Sequence, residues 1–220
     1  MLRSYIRDEG KAGRLGSRLL AIVAEGDAAR IYLSPTLTGT VSLDKDEDAI
    51  VHDARTTYLS GTTPTRAMIT GGVCSAYGLS TWGSLFTSRQ IVALTTFSDL
   101  VEEARERVIN DWNRARLSAD GAGPVVDEGA TAYGEAVALY LAFGVDKMSD
   151  RHSTLTRWDP TPTASGIINT FSRQALPMTW DYAEGNPFSE ASGNFDSGIG
   201  WIAKVIETSL PANRSGTASI

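Results

Sequence analysis

The chain has one cysteine, Cys74, and two histidines, His52 and His152, among 220 residues. A lone cysteine excludes an intrachain disulfide and agrees with a reducing, cytoplasmic setting. With so few thiols and imidazoles, and no His-x-x-x-His spacing, no metal site is expected. Positive charge is short as well. The formal net charge of −6 argues against a general nucleic-acid coat. A local basic face remains open, and Arg3, Arg7, Lys11, Arg14, Arg18 and Arg30 crowd the first thirty residues. A solvated surface accounts for them equally well. No apolar run reaches bilayer length, and the charges scattered through residues 1–26 do not follow a signal-peptide layout. There is no Gly-x-Ser-x-Gly elbow, and no glycine-rich stretch ends in Lys-Ser/Thr. Cys74, in GGVCSAYG, has no neighbour that would lower its pKa and is expected to be a buried, inert thiol.

What is present is ordinary for a globular protein: 42% hydrophobic and 21% charged residues. The length allows one well-buried core or two small lobes. SRLLAIVA (17–24) and ARIYL (29–33), joined through Glu25-Gly26-Asp27, read as a β-hairpin that Pro35 ends. Residues 44–54 read as a short helix, and 60–78, rich in Gly, Thr and Pro, as a loop and lobe boundary.

Thr87 and Gln90 have the spacing of a capping box. Beyond them Leu94, Phe97, Val101, Ala104, Val108 and Trp112 recur at steps of three and four, a helix running to about residue 116. Glu103 and Arg107 form an i,i+4 pair on its wet side. After a linker turn at 118–126, Asp127 can cap a helix over 128–148. Its middle, AVALYLAF, is apolar nearly all round, so neighbours should bury it. A polar loop is expected at 153–163, a third helix at 164–175 stopping before Pro177, irregular chain at 181–195, and a last helix at 197–210 with Ile199, Ile202 and Ile206 on one face. The reading is therefore mainly α with a small N-terminal β-hairpin (α+β): hairpin and short helix over 1–60, a helical region over 79–210, and a disordered tail at 211–220.

Two further stretches invite a binding role. In RHSTLTRWDP (151–160), Arg151, Arg157 and Trp158 could meet a phosphate and stack on a base, or Trp158 could close the core under a loop. Asn186-Pro187-Phe188 is one proline short of the Asp/Asn-Pro-Pro-Tyr/Phe motif that grips a flipped adenine, and a turn beside an aromatic anchor explains it without chemistry.

Several longer stretches together carry a resemblance: EGKAGRLGSRLLAIVAEG (9–26), YGLSTWGSLFTSRQIVALTTFSDLVEEARE (77–106), YLAFGVDKMSD (140–150), Arg157-Trp158, and NTFSRQALPMTWDYAEGNPF (169–188). Across nearly its whole length the chain resembles the middle of large prokaryotic adenine-specific DNA methylases of the kind found beside anti-phage genes. In that family the glycine-rich cofactor motif lies upstream of this region and the Asp-Pro-Pro-Tyr motif downstream, and neither occurs here. The resemblance implies a fragment of a larger α/β methyltransferase-like protein, inactive alone. Its partners would be DNA and the missing methylase halves or a partner subunit, with no membrane contact. GSLFTSRQIV (83–92) is also similar to the Phe-Thr-Pro-Arg motif of helical N6-adenine methylases, with Ser88 in place of proline. That likeness implies that Phe86, Thr87 and Arg89 lie beside S-adenosylmethionine in the intact enzyme. No tight binding is expected of this chain alone, and an ordinary helix cap explains the same residues. Arg89, Arg157, Trp158 and Arg173 are expected to face one cleft. Open apolar faces on the 128–148 and 197–210 helices would signal a missing body of protein.

Overall fold

In the computed structural model, residues 3–27, 29–35, 45–65, 73–120, 128–161, 166–172 and 175–209 are described. They are mainly helical, with two small antiparallel sheets. No helix among them is long and apolar enough to cross a membrane. The chain divides into two compact units, residues 1–84 with 175–178, and 85–174 with 179–220.

The first unit opens with α1 (Arg3–Lys11), a helix that the sequence pattern does not announce. Its end packs on the turn at 74–78, where a Cβ on Gly10 would run into the Tyr77 carbonyl and one on Gly78 into the Gly10 carbonyl. Gly78 also adopts φ +94°, so both positions call for glycine. The expected hairpin is present, but its first strand begins at Ile22, not at Ser17: β1 (Ile22–Glu25) pairs with β2 (Arg30–Leu33), and Gly26 N–H bonds the Ala29 carbonyl across the turn. The short helix is α2 (Lys45–Asp53), which widens into a π-helical turn at Ala54–Tyr58. Leu176 completes this unit from far along the chain, its carbonyl accepting from Val73 N at 2.8 Å and Cys74 N at 3.4 Å. Cys74 is fully buried, as expected.

The second unit is built on three helices: α3 (Ser88–Asp120), α4 (Glu128–Ser149) and α5 (Phe195–Ser209). The capping box at the start of α3 is formed, with Thr87 N donating to Gln90 Oε1 at 2.9 Å and Gln90 N to Thr87 Oγ1 at 3.2 Å. The Glu103–Arg107 pair is present at 2.9 Å. α3 runs past residue 116 into the stretch expected to be a linker turn, while Asp127, the expected cap of α4, lies outside the described residues, as does the tail at 211–220. α5 begins two residues early because Asn194 caps it, Oδ1 accepting from Ser197 N at 2.6 Å.

α4 lies against α3 through Gly134, which meets Ile109, and against α5 through Gly144, which meets Ile199. Phe97 of α3 stacks on Phe195 of α5 with ring centroids 4.7 Å apart. Among the described residues these contacts cover one face of α4. Tyr133, Leu139, Tyr140 and Phe143 on its other face are 39–54% exposed, so the expectation of a helix buried all round is corrected. On α5, Trp201 and Val205 are likewise exposed.

The expected third helix over 164–175 is also corrected. Gly166–Ile168 is a strand, β4, paired antiparallel with β3 (Arg157–Asp159), which itself interrupts the expected polar loop. Two adjacent β-branched isoleucines favour an extended backbone, and Ile167 sits opposite Trp158 in the register.

Candidate functional site

The residues that join α4 to β3 form a buried polar hub. His152, Ser153 and Thr156 are almost wholly enclosed. His152 Nε2 lies 2.9 Å from the Gly193 carbonyl, so the proton sits on Nε2. Burial pushes the imidazole pKa below its ordinary value, against the pull of the Gly193 bond and the Glu184 charge. Ser153 Oγ and Thr170 Oγ1 are 2.8 Å apart, and Thr156 Oγ1 donates to the Ala183 carbonyl at 2.7 Å. Asp150 holds β4's exit, accepting from Asn169 Nδ2 at 2.6 Å and Phe171 N at 3.0 Å. Arg151, a candidate phosphate contact in the sequence, points instead at backbone and amide: Nε donates to the Ile167 carbonyl at 3.2 Å and Nη2 to Asn169 Oδ1 at 3.3 Å.

This hub positions three polar segments side by side. The start of α3 is tied to it by Thr154, whose N–H and Oγ1 both bond the Leu85 carbonyl, at 2.7 and 2.9 Å. β3 is flanked by β4 and by the 182–184 segment, through an Arg157–Tyr182 bridge and an Ala183 N–Thr156 carbonyl bond of 3.2 Å. Glu184, two residues past that bridge, accepts both Nε and Nη2 of Arg89 at 2.9 Å. This bidentate bond raises the already high Arg89 pKa. Arg89 and Arg157 therefore flank one three-residue segment. Arg157 is exposed and Trp158 half-buried against Ile167, while the Asp159 carboxyl is held below its usual range chiefly by its bonds to Thr161. Arg173 lies outside the described residues.

Phe86 and Thr87 sit at the head of α3. Thr87 is committed to the capping box, so the donors left at this helix start are the amides of Ser88 and Arg89. Asn186-Pro187-Phe188 forms a turn: Asn186 Oδ1 accepts from Phe188 N at 3.0 Å, and its carbonyl accepts from Ser189 N and Oγ. Phe188 is 83% exposed, its ring centroid 5.6 Å from that of Phe97.

Sequence reasoning missed His152, Glu184 and Tyr182. The crowding of small hydroxyl residues around His152 in RHSTLT was the available sign of a buried network; Glu184 and Tyr182 gave none. The site's one histidine is buried and bonded to a carbonyl, and among the described residues no three metal-ligating side chains cluster. No protein-family model, curated protein or solved structure matches this chain.

Proposed function

We propose that the chain is a segment of an S-adenosylmethionine-dependent, adenine-specific DNA methyltransferase of the anti-phage type, inactive alone, that contributes DNA and cofactor contacts to a larger α/β protein. The observation that carries this reading is the Arg89–Glu184 ion pair. It joins the 77–106 and 169–188 stretches on which the resemblance rests, and the Arg157–Tyr182 bridge brings Arg157-Trp158 to the same place. Exposed Arg157 is the DNA contact in this reading, with Trp158 beside it.

The head of α3 fits the carboxylate of the cofactor's methionine end only through the Ser88 and Arg89 amides, since Thr87 and the Arg89 guanidinium are engaged within the chain. The residues that would cradle the rest of the cofactor, and the Asp-Pro-Pro-Tyr loop, are not in the sequence.

Calorimetry with S-adenosylmethionine is expected to give no tight binding, and the purified chain no labelling of adenine in DNA. DNA binding is expected to weaken on Arg157→Ala, its salt slope falling by about one. Unaided methylation of adenine would overturn the reading, as would DNA affinity that Arg157→Ala leaves unchanged. A second reading, a non-catalytic DNA- or partner-binding module, draws on the open apolar faces of α4 and α5.

A further inference from the structure

α4 carries two apolar faces, and the described residues cover only one of them. Ala132, Ala136, Leu139, Tyr140, Phe143 and Lys147 are all exposed and recur at the spacing of a helix–helix seam. The ends of this stripe differ in charge. Glu128 and Glu135 lie toward its start. At its finish, Lys147 and Lys204 both stand 5.9 Å from the exposed Trp201 ring.

We propose that this face is a homodimer interface in which α4 packs antiparallel on α4 of a second copy of the chain. This inference is independent of the methylase reading.

The sequence of the stripe is self-complementary about a two-fold axis between Leu139 and Tyr140. Leu139 then faces Tyr140 of the other copy, and Ala136 faces Phe143, a small side chain opposite a large one as interdigitating layers require. Lys147 comes opposite Ala132, whose neighbours one turn away in either direction are Glu128 and Glu135. A parallel pairing would instead set each lysine end against its own copy, so charge selects the antiparallel arrangement. With Trp112, Tyr133, Trp201 and Val205 at its margins, the face presents on the order of 700 Å² of large, half-exposed side chains. A stable interface takes about 800 Å² from each partner.

The test is sedimentation equilibrium on the full chain across a range of concentrations, with circular dichroism to check that each variant keeps its helices. The wild type is expected to be a dimer. Lys147→Glu, which sets like charges together, should weaken association about tenfold or more. Combining it with Glu128→Lys and Glu135→Lys should restore association. A monomer at every concentration overturns the proposal and leaves the face to a different protein. A dimer insensitive to both Lys147→Glu and Phe143→Glu places the contact elsewhere and overturns it too. Weakening by Lys147→Glu without rescue by the charge exchange overturns the antiparallel register.

Discussion

His152 is 1% exposed, and the one hydrogen bond its ring makes among the described residues runs from Nε2 to a carbonyl, which leaves Nδ1 as the atom that a proton would have to reach. Charging a ring in that position is opposed by desolvation, and the Glu184 charge that would help is already engaged by Arg89. The folded pKa therefore lies below the ordinary value of 6.5, and the unfolded chain takes up the proton first. The contribution of neutral His152 is complete above about pH 6.5 and is lost as pH falls from there toward the folded pKa. Melting temperatures measured between pH 7.5 and pH 5 should fall for the wild type, with a limiting slope of about 1.4 kcal/mol per pH unit from this group. His152→Gln, which keeps a donor for Gly193, should be less stable throughout but lose the part of the slope that His152 supplies. An equal slope in both proteins would mean that His152 is not held neutral. The sequence could show that Thr87 and Gln90 would cap each other, because their partners lie three residues apart. It could not show the enclosure of His152, which depends on Gly193, 41 residues away, or the Glu184 partner of Arg89, 95 residues away.

At the scale of elements, the same contrast separates what periodicity reveals from what pairing decides. The stripes of α3 and α5 and the Gly26 turn of the first hairpin are local signals, and the elements form where those signals lie. β4 is three residues long, and its extended form depends on β3 alongside, so its apolar pair reads equally well as helix. α1 has only Tyr5 and Ile6 as large apolar residues in its nine and owes its docking to the Gly10–Tyr77 approach. α4 was legible as an apolar helix, but its composition could not say that the described residues would cover only one of its faces. Its covered face depends on Gly134. A Cβ there would stand 2.6 Å from Ile109 Cγ1 and 3.3 Å from the Arg105 carbonyl, so α3 would have to move away. Gly134→Leu should gain about 1 kcal/mol of helix propensity and still lose roughly 1–3 kcal/mol net through overpacking. Gly200→Ala on α5, where nothing lies within 4 Å, should be stabilising by about 0.5–1 kcal/mol. Urea unfolding of both variants measures the contrast. A Gly134→Leu protein as stable as wild type would refute the close α3–α4 approach.

At the scale of the whole molecule, the chain order and the compact units do not coincide. The first unit takes residues 175–178 from beyond most of the second, and Leu176, 7% exposed, supplies the carbonyl for Val73 and Cys74. A polypeptide ending at residue 84 would therefore keep the hairpin and α2 but lose the segment bonded to the backbone of its only cysteine. Cys74 reports that loss. Its side chain is 0% exposed, and burial pushes the thiol pKa above its usual value, which lowers the thiolate fraction that reacts. In the native full chain a thiol reagent such as Ellman's should modify Cys74 about a hundredfold or more slowly than in urea, a protection of roughly 2.7 kcal/mol against local opening. The 1–84 piece should approach the urea rate, and Leu176→Ala in the full chain should fall between the two. If the 1–84 piece protects Cys74 as fully as the whole chain does, the first unit is complete without its distant segment, and the interleaving is a contact of no energetic weight. If Leu176→Ala alone abolishes protection, the cover over the thiol is the Leu176 side chain rather than the backbone bonds beside it.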